Sequence, residues 1–168
     1  MSNRISIVQD FLATGEKFVD LVQPLNDEQL NSAAEPDEWT LRQIIHHVAD
    51  DADVWSFAFK KAIAAPGSPL RFEGFPGNEK WTEALDFAHR PVTDASMLIL
   101  THWRLMAEIA CSLPEETWDQ AHVEVFDDKG QSMGNWGSQQ IFEMLTDHLR
   151  EHLHTIQAVL HNSITSEG

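Results

Sequence analysis

Basic residues are scarce in this chain. Lysine and arginine number 11 against 27 aspartates and glutamates, which leaves a formal net charge of -16 over 168 residues. A surface that acidic repels phosphate backbones and anionic lipid headgroups, and no basic run offers a local exception. Neither nucleic acid nor a membrane surface is therefore expected as a partner. Cysteine is nearly absent. Cys111 stands alone, which excludes an internal disulfide framework and fits a reducing compartment. Long apolar runs are missing as well: no stretch approaches the roughly 20 residues of a membrane span. The opening segment Met1–Asp10 lacks the apolar core of a signal peptide. The expected setting is the cytoplasm.

What the chain does contain is ordinary material for a globular core. Apolar residues make up 42% and charged residues 23% of the sequence, and the length suits one domain over residues 1–168. Ile5, Val8, Phe11, Leu12, Phe18, Val19 and Val22 recur at three- and four-residue steps. That spacing predicts an amphipathic helix over roughly residues 3–23, stopped before Pro24. A connector with one helical turn at Asp27–Leu30 follows. Thr40-Leu41-Arg42-Gln43 is a capping box, in which the Thr hydroxyl and the Gln amide satisfy the first free amides of a helix. Trp39 can pack back on that first turn. The helix carries Leu41, Ile44, Val48, Ala52, Trp55 and Phe59, and ends at Pro66-Gly67.

Residues 66–80 hold three prolines and three glycines and are expected to form a long loop of the kind that often carries function. Trp81–His89 is expected as a short helix. Thr93 is expected to cap a third long helix over roughly 93–113, with Cys111 buried and inert inside it. Glu115–Trp118 suits one helical turn. His122–Phe126 alternates apolar and polar residues ahead of the turn Asp127–Gly130, so a small hairpin with Gln131–Met133 is expected. Asn135 or Ser138 is expected to cap a fourth helix bearing Ile141, Phe142, Leu145, Leu149, Leu153, Ile156 and Leu160. The fold class is all-α: a four-helix bundle with a long crossover loop and a small hairpin insertion. Such bundles place metal sites between facing helices.

Nine histidines can be sorted by helix phase. With Leu149 at the centre of the fourth helix's apolar face, His152 lies roughly 60° and His148 roughly 100° to the same side at about 100° per residue. His154 and His161 fall more than about 110° to the other side, towards solvent. On the second helix, with Val48 central, His47 lies about 100° off and His46 about 160° off, pointing away. Histidines at a core edge are ordinarily half-buried, hydrogen-bonded residues. Here, however, His47, His148 and His152 can converge from two helices. Three neutral imidazoles would leave a position open for water, as catalytic rather than structural zinc sites do.

At these residues the chain resembles the DinB superfamily, and within it the YfiT-like branch. The resemblance rests on Trp39-Thr-Leu-Arg-Gln-Ile-Ile-His-His47-Val-Ala-Asp50, on Asn78-Glu-Lys-Trp81, and on His148-x-x-x-His152. It implies a four-helix bundle with a three-histidine site, His47, His148 and His152, for a divalent metal such as zinc or nickel, completed by water. It also implies metal-dependent hydrolysis or thiol S-transfer, of the bacillithiol type, on a small-molecule substrate that includes low-molecular-weight thiols, and a homodimer. The alternative is a non-catalytic binding or stress-related bundle with structural or vestigial metal.

Other chemistries fit less well. His148-Leu-Arg-Glu-His152 matches the inverted zinc-protease pattern, but Glu167 is the only acidic residue downstream that could serve as its further ligand. Glu151-x-x-His154 resembles half of a di-iron motif, without a second half. Glu151 itself is the candidate catalytic group, as a base or an outer partner on the same side of the helix as His148, although a solvated surface glutamate is the plainer expectation. Asp50 or Asp51, one turn from His47, could orient an imidazole, although a surface charge is the plainer expectation for both. Trp81 and Trp136 are candidate pocket walls.

Overall fold

Four long helices carry the structure, which is a computed structural model describing residues 3–71 and 79–165. In chain order the elements are α1 (Asn3–Val22), α2 (Asp27–Leu30), α3 (Leu41–Ala64), β1 (Ser68–Arg71), α4 (Glu79–Ala84), α5 (Thr93–Ser112), α6 (Glu115–Gln120), β2 (His122–Phe126), β3 (Ser132–Gly137) and α7 (Ser138–Thr165). The main helix contacts are α1 with α5 and α7, and α3 with α5 and α7. Around the bundle the order is therefore α1, α5, α3, α7. Helices α3 and α7, far apart in sequence, become packed neighbours.

The core follows the predicted apolar faces. Phe11, Phe18, Leu41, Ile45, Phe59, Ile99, Trp103, Ile141, Phe142 and Leu149 are all buried. Phe11 stacks on Trp103 at 3.9 Å between ring centroids and meets Phe142 at 4.5 Å, so one aromatic cluster ties α1, α5 and α7 together. Gly15 lets α1 approach this closely. A Cβ at that position would stand 2.9 Å from Cε3 of Trp103, inside van der Waals contact with a buried ring already stacked on Phe11.

Helix α3 starts as its sequence prescribes. Thr40 Oγ1 accepts from the Gln43 amide at 3.3 Å, and Gln43 Oε1 accepts from the Thr40 amide at 2.9 Å. One turn in, buried Arg42 donates to Asn31 Oδ1, to Asp27 Oδ1 and to the Arg90 carbonyl at 3.1, 2.8 and 3.1 Å. This guanidinium holds α2 and the segment before α5 against α3, and so fixes the start of the helix that carries His47.

Several expectations are corrected. The 66–80 stretch is not wholly loop: Ser68–Arg71 forms β1, which pairs in parallel with β2, Ser68 opposite Val123 and Arg71 opposite Phe126. The expected hairpin is present as β2–β3, with a bulge at Val125/Phe126, and β1 extends it to three strands in the order β1-β2-β3. Residues 72–78, the remainder of the expected loop including Asn78, lie outside the described residues. Helix α4 begins two residues earlier than expected and ends at Ala84. The residue before α5 is Val92 and makes no side-chain cap, so Thr93 is the first helical residue rather than the cap. Asn135 lies in β3, and the hydroxyl of Ser138 is buried with no hydrogen-bond partner, so neither caps α7. Cys111 is exposed, not buried. Among the described residues, no helix is long and apolar enough to cross a membrane.

Candidate metal centre

Two packed helices each present a pair of residues four apart. From α3 come His47 and Asp51, and from α7 come His148 and His152. At that spacing both members of a pair lie on one face of a helix, about one turn apart. Because α3 and α7 are neighbours in the bundle, the two faces meet. His47 Nε2 lies 3.1 Å from His148 Nε2, and His148 Nε2 lies 3.1 Å from His152 Nε2. One ring nitrogen from each of the three histidines lies within 4.8 Å of the other two. The rings stand edge to face, at interplanar angles of 83°, 78° and 79°, which lets three planes aim at one point without stacking.

The surroundings are dry on one side and open on the other. His47 is buried, and the Trp39 ring packs edge-on against it at 5.1 Å between centroids. The tryptophan ahead of the cap thus covers the site as well as the first turn of α3. The His148 side chain keeps 34% of its exposure, so the approach to the cluster lies on its side.

Burial and neighbours divide the protons unequally. His152 is pushed down to about 3, first by burial and then by the charges on His148 and His47. Burial also lowers His47, against the opposing pull of Asp51. His148 moves the other way. A hydrogen bond to Asp51 raises it despite burial, and the nearby Glu151 carboxylate adds to the effect.

This arrangement fits a cation better than it fits hydrogen bonds. A ring nitrogen offers either one donor or one acceptor. His148 Nε2 nonetheless faces His47 Nε2, His152 Nε2 and, at 3.0 Å, Asp51 Oδ2. No placement of single protons satisfies all three contacts. Donors that share one ion at about 2.0–2.1 Å stand roughly 2.8–3.4 Å apart at right to tetrahedral angles, a range that holds both 3.1 Å separations from His148. The donor set of three imidazoles suits zinc, nickel and related divalent metals.

The structure thus brings His47, His148 and His152 together. Glu151 is exposed on α7, and the carboxylate that enters the cluster is that of Asp51, 7% exposed. The surface charge expected for Asp51 is therefore corrected. Its signal was available in the sequence, since Asp51 follows His47 by the same four residues that separate His148 from His152. Asp50 turns to a different neighbour. Its Oδ2 accepts from Trp81 Nε1 at 2.7 Å, and burial raises its pKa. Trp81 thereby ties α4 to the helix that bears His47 and Asp51. Trp136 stacks on Trp55 at 5.2 Å. His46 points away from the other three histidines, as expected, but is not solvated: Phe87 packs on its ring and its Nε2 lies 3.3 Å from the Arg90 carbonyl. His154 and His161 are exposed.

With this geometry in view, the comparisons with known proteins are consistent. The family model of the DinB superfamily matches residues 10–97, a stretch that includes His47 and Asp51. Among solved structures, the chain is similar to YfiT from Bacillus subtilis, described as a probable metal-dependent hydrolase with an unusual four-helix bundle topology. The TM-score is 0.75 at 18% identity, over 99% of this chain and 90% of that one. The shared fold includes the bundle described above. No curated protein matches the sequence at a significant level.

Proposed function

The chain belongs to the DinB superfamily, and from that premise we propose that it is a metal-dependent hydrolase of a small molecule. His47, His148 and His152 hold the divalent ion, zinc or nickel. The observation that carries this reading is the convergence of three imidazoles, from helices that meet only in the folded chain, with His148 Nε2 at 3.1 Å from both His47 Nε2 and His152 Nε2 and a ring nitrogen of each within 4.8 Å of the others. The description of YfiT as a probable metal-dependent hydrolase supports it from a chain of the same fold. An ion in such a site supplies Lewis acidity and makes a nucleophile available near neutral pH.

The protein's own residues prepare the site. Burial keeps His152 and His47 unprotonated at neutral pH, so two of the three imidazoles present free lone pairs without first losing a proton. His148 holds its proton more tightly than a free imidazole, first through its hydrogen bond to Asp51, so it is the ligand at which a proton competes most with the ion. Trp39 shields the His47 side from solvent. The half-open His148 side leaves an approach for a substrate. A net charge of -16 disfavours polyanionic substrates and favours neutral or cationic ones.

The test is elemental analysis of tag-free protein beside His47→Ala and His148→Ala. About one equivalent of zinc or nickel in the wild type, lost in both variants, is the expected result. Turnover of an ester, amide or lactone panel by the loaded protein would then support hydrolysis. Consumption of a low-molecular-weight thiol with an electrophile, and no hydrolysis, would move the assignment to thiol transfer. A wild type that holds no metal and takes up none would leave a non-catalytic bundle as the better reading.

A further inference from the structure

We propose that Asp51 is a fourth protein donor to the metal, so that the centre is built from three imidazoles and one carboxylate. The inference rests on the metal site proposed above and goes beyond it: with Asp51 as fourth donor, the position left for water is a fifth one, which a divalent ion of expandable coordination allows.

Position is the first argument. A carboxylate that merely orients a metal-bound histidine accepts a hydrogen bond from the ring nitrogen facing away from the ion. Here the histidines converge through Nε2, and an orienting partner of His47 would sit at its Nδ1. That atom is buried without a hydrogen-bond partner among the described residues. Asp51 instead lies on the converging side, its Oδ2 3.3 Å from His47 Nε2 and 3.0 Å from His148 Nε2. Those distances match the 3.1 Å between the imidazole nitrogens themselves. The oxygen therefore occupies the same shell as the nitrogens.

Charge is the second argument. The Asp51 side chain keeps 10% of its exposure, and its ion-pair partners among the described residues are His47 and His148, with no lysine or arginine. A buried carboxylate is costly unless a cation compensates it. A divalent ion amid neutral imidazoles supplies that compensation and leaves them free to act as ligands. Rigidity is the third argument. His47 and Asp51 share one face of a single long helix whose start is pinned by the capping box and by Arg42, so nitrogen and oxygen arrive pre-aligned.

The test uses the full-length protein, stripped of metal, with Zn2+ affinity measured by chelator competition and Co2+ as a spectroscopic probe of the donor set. The variants are Asp51→Asn, which keeps the shape and removes the charge, and Asp51→Glu, which keeps the charge and moves it by one methylene. The expected result is one equivalent of Zn2+ bound by wild type and a loss of more than about 100-fold in affinity for Asp51→Asn, beyond the 10–100-fold typical of outer partners. The visible Co2+ bands should change in both variants. A Co2+ spectrum unchanged in Asp51→Asn, whatever its affinity, would show that Asp51 lies outside the coordination shell, while the three-histidine site stands. Failure of wild type to bind either ion would instead overturn the metal site itself. Should Asp51→Asn not fold, as judged by circular dichroism without metal, the Asp51→Glu spectrum decides: shifted bands support direct ligation and unchanged bands refute it.

Discussion

On the proposed function, protons and a divalent ion compete for the same three ring nitrogens, and their surroundings bound how many protons the ion would displace. Three unperturbed imidazoles with pKa values near 6.5 would each be about nine-tenths protonated at pH 5.5, so binding would release about 2.7 protons. The site behaves differently. His152, at about 3, is almost fully deprotonated at that pH. His148, raised by its hydrogen bond to Asp51, carries nearly a whole proton. His47, lowered by burial, carries less than the nine-tenths of a free imidazole. The sum lies between about one and about 1.9 protons at pH 5.5, and the logarithm of the affinity should rise with pH by the same number. Calorimetric Zn2+ titrations in buffers of different ionisation enthalpy count the protons directly. A release of about 2.5 or more at pH 5.5 would refute the reasoning, because it would mean that the imidazoles titrate like exposed ones.

Three further outcomes follow from the same structure. In the metal-free protein, the unfolded chain binds a proton at His152 between pH 6.5 and about 3 that the folded chain does not. Stability therefore falls as pH drops through that window, by on the order of 3 kcal/mol at pH 4.5 from this residue. Urea unfolding of His152→Gln should show a flatter acid limb, and an unchanged one would contradict the assignment. Gly15→Ala gains about 1 kcal/mol of helix propensity but drives a methyl group against Trp103, a clash that costs about 1–3 kcal/mol. The expected net is a lower urea midpoint, and a raised midpoint would show that the α1–α5 contact can yield. Thr40→Ala removes one half of the α3 capping box and should cost about 1 kcal/mol, read from thermal unfolding; no change would mean that Gln43 alone secures the helix start.

Helical spacing carried most of the bundle, because each long helix buries one continuous apolar stripe that repeats locally. The start of α3 was legible for the same reason: Thr40 and Gln43 interact within one turn. What escaped was non-local. Strand β1 is four residues in a proline- and glycine-rich stretch, and it exists because Ser68 finds Val123 after α4, α5 and α6 have intervened. His46 looked solvent-facing until Phe87 and Arg90 covered it from a later segment. The histidines could be sorted by phase, since an imidazole at a core edge draws attention. Asp51, at the same phase as His47 plus one turn, was weighed as an ordinary surface charge. Its burial depends on α7, which no window around Asp51 contains.

His47 and His148 are 101 residues apart, and that separation sets an order of events during synthesis. A chain leaving the ribosome at roughly 5–20 residues per second exposes α3 many seconds before α7 exists. In that interval His47 and Asp51 can offer an ion only half a site. The later pair on α7 is local but lacks its partner until the two helices dock. On the proposed function, the complete site is therefore offered to an ion only once α3 and α7 have docked. An ion bound there would add to the stability of the docked fold by mass action.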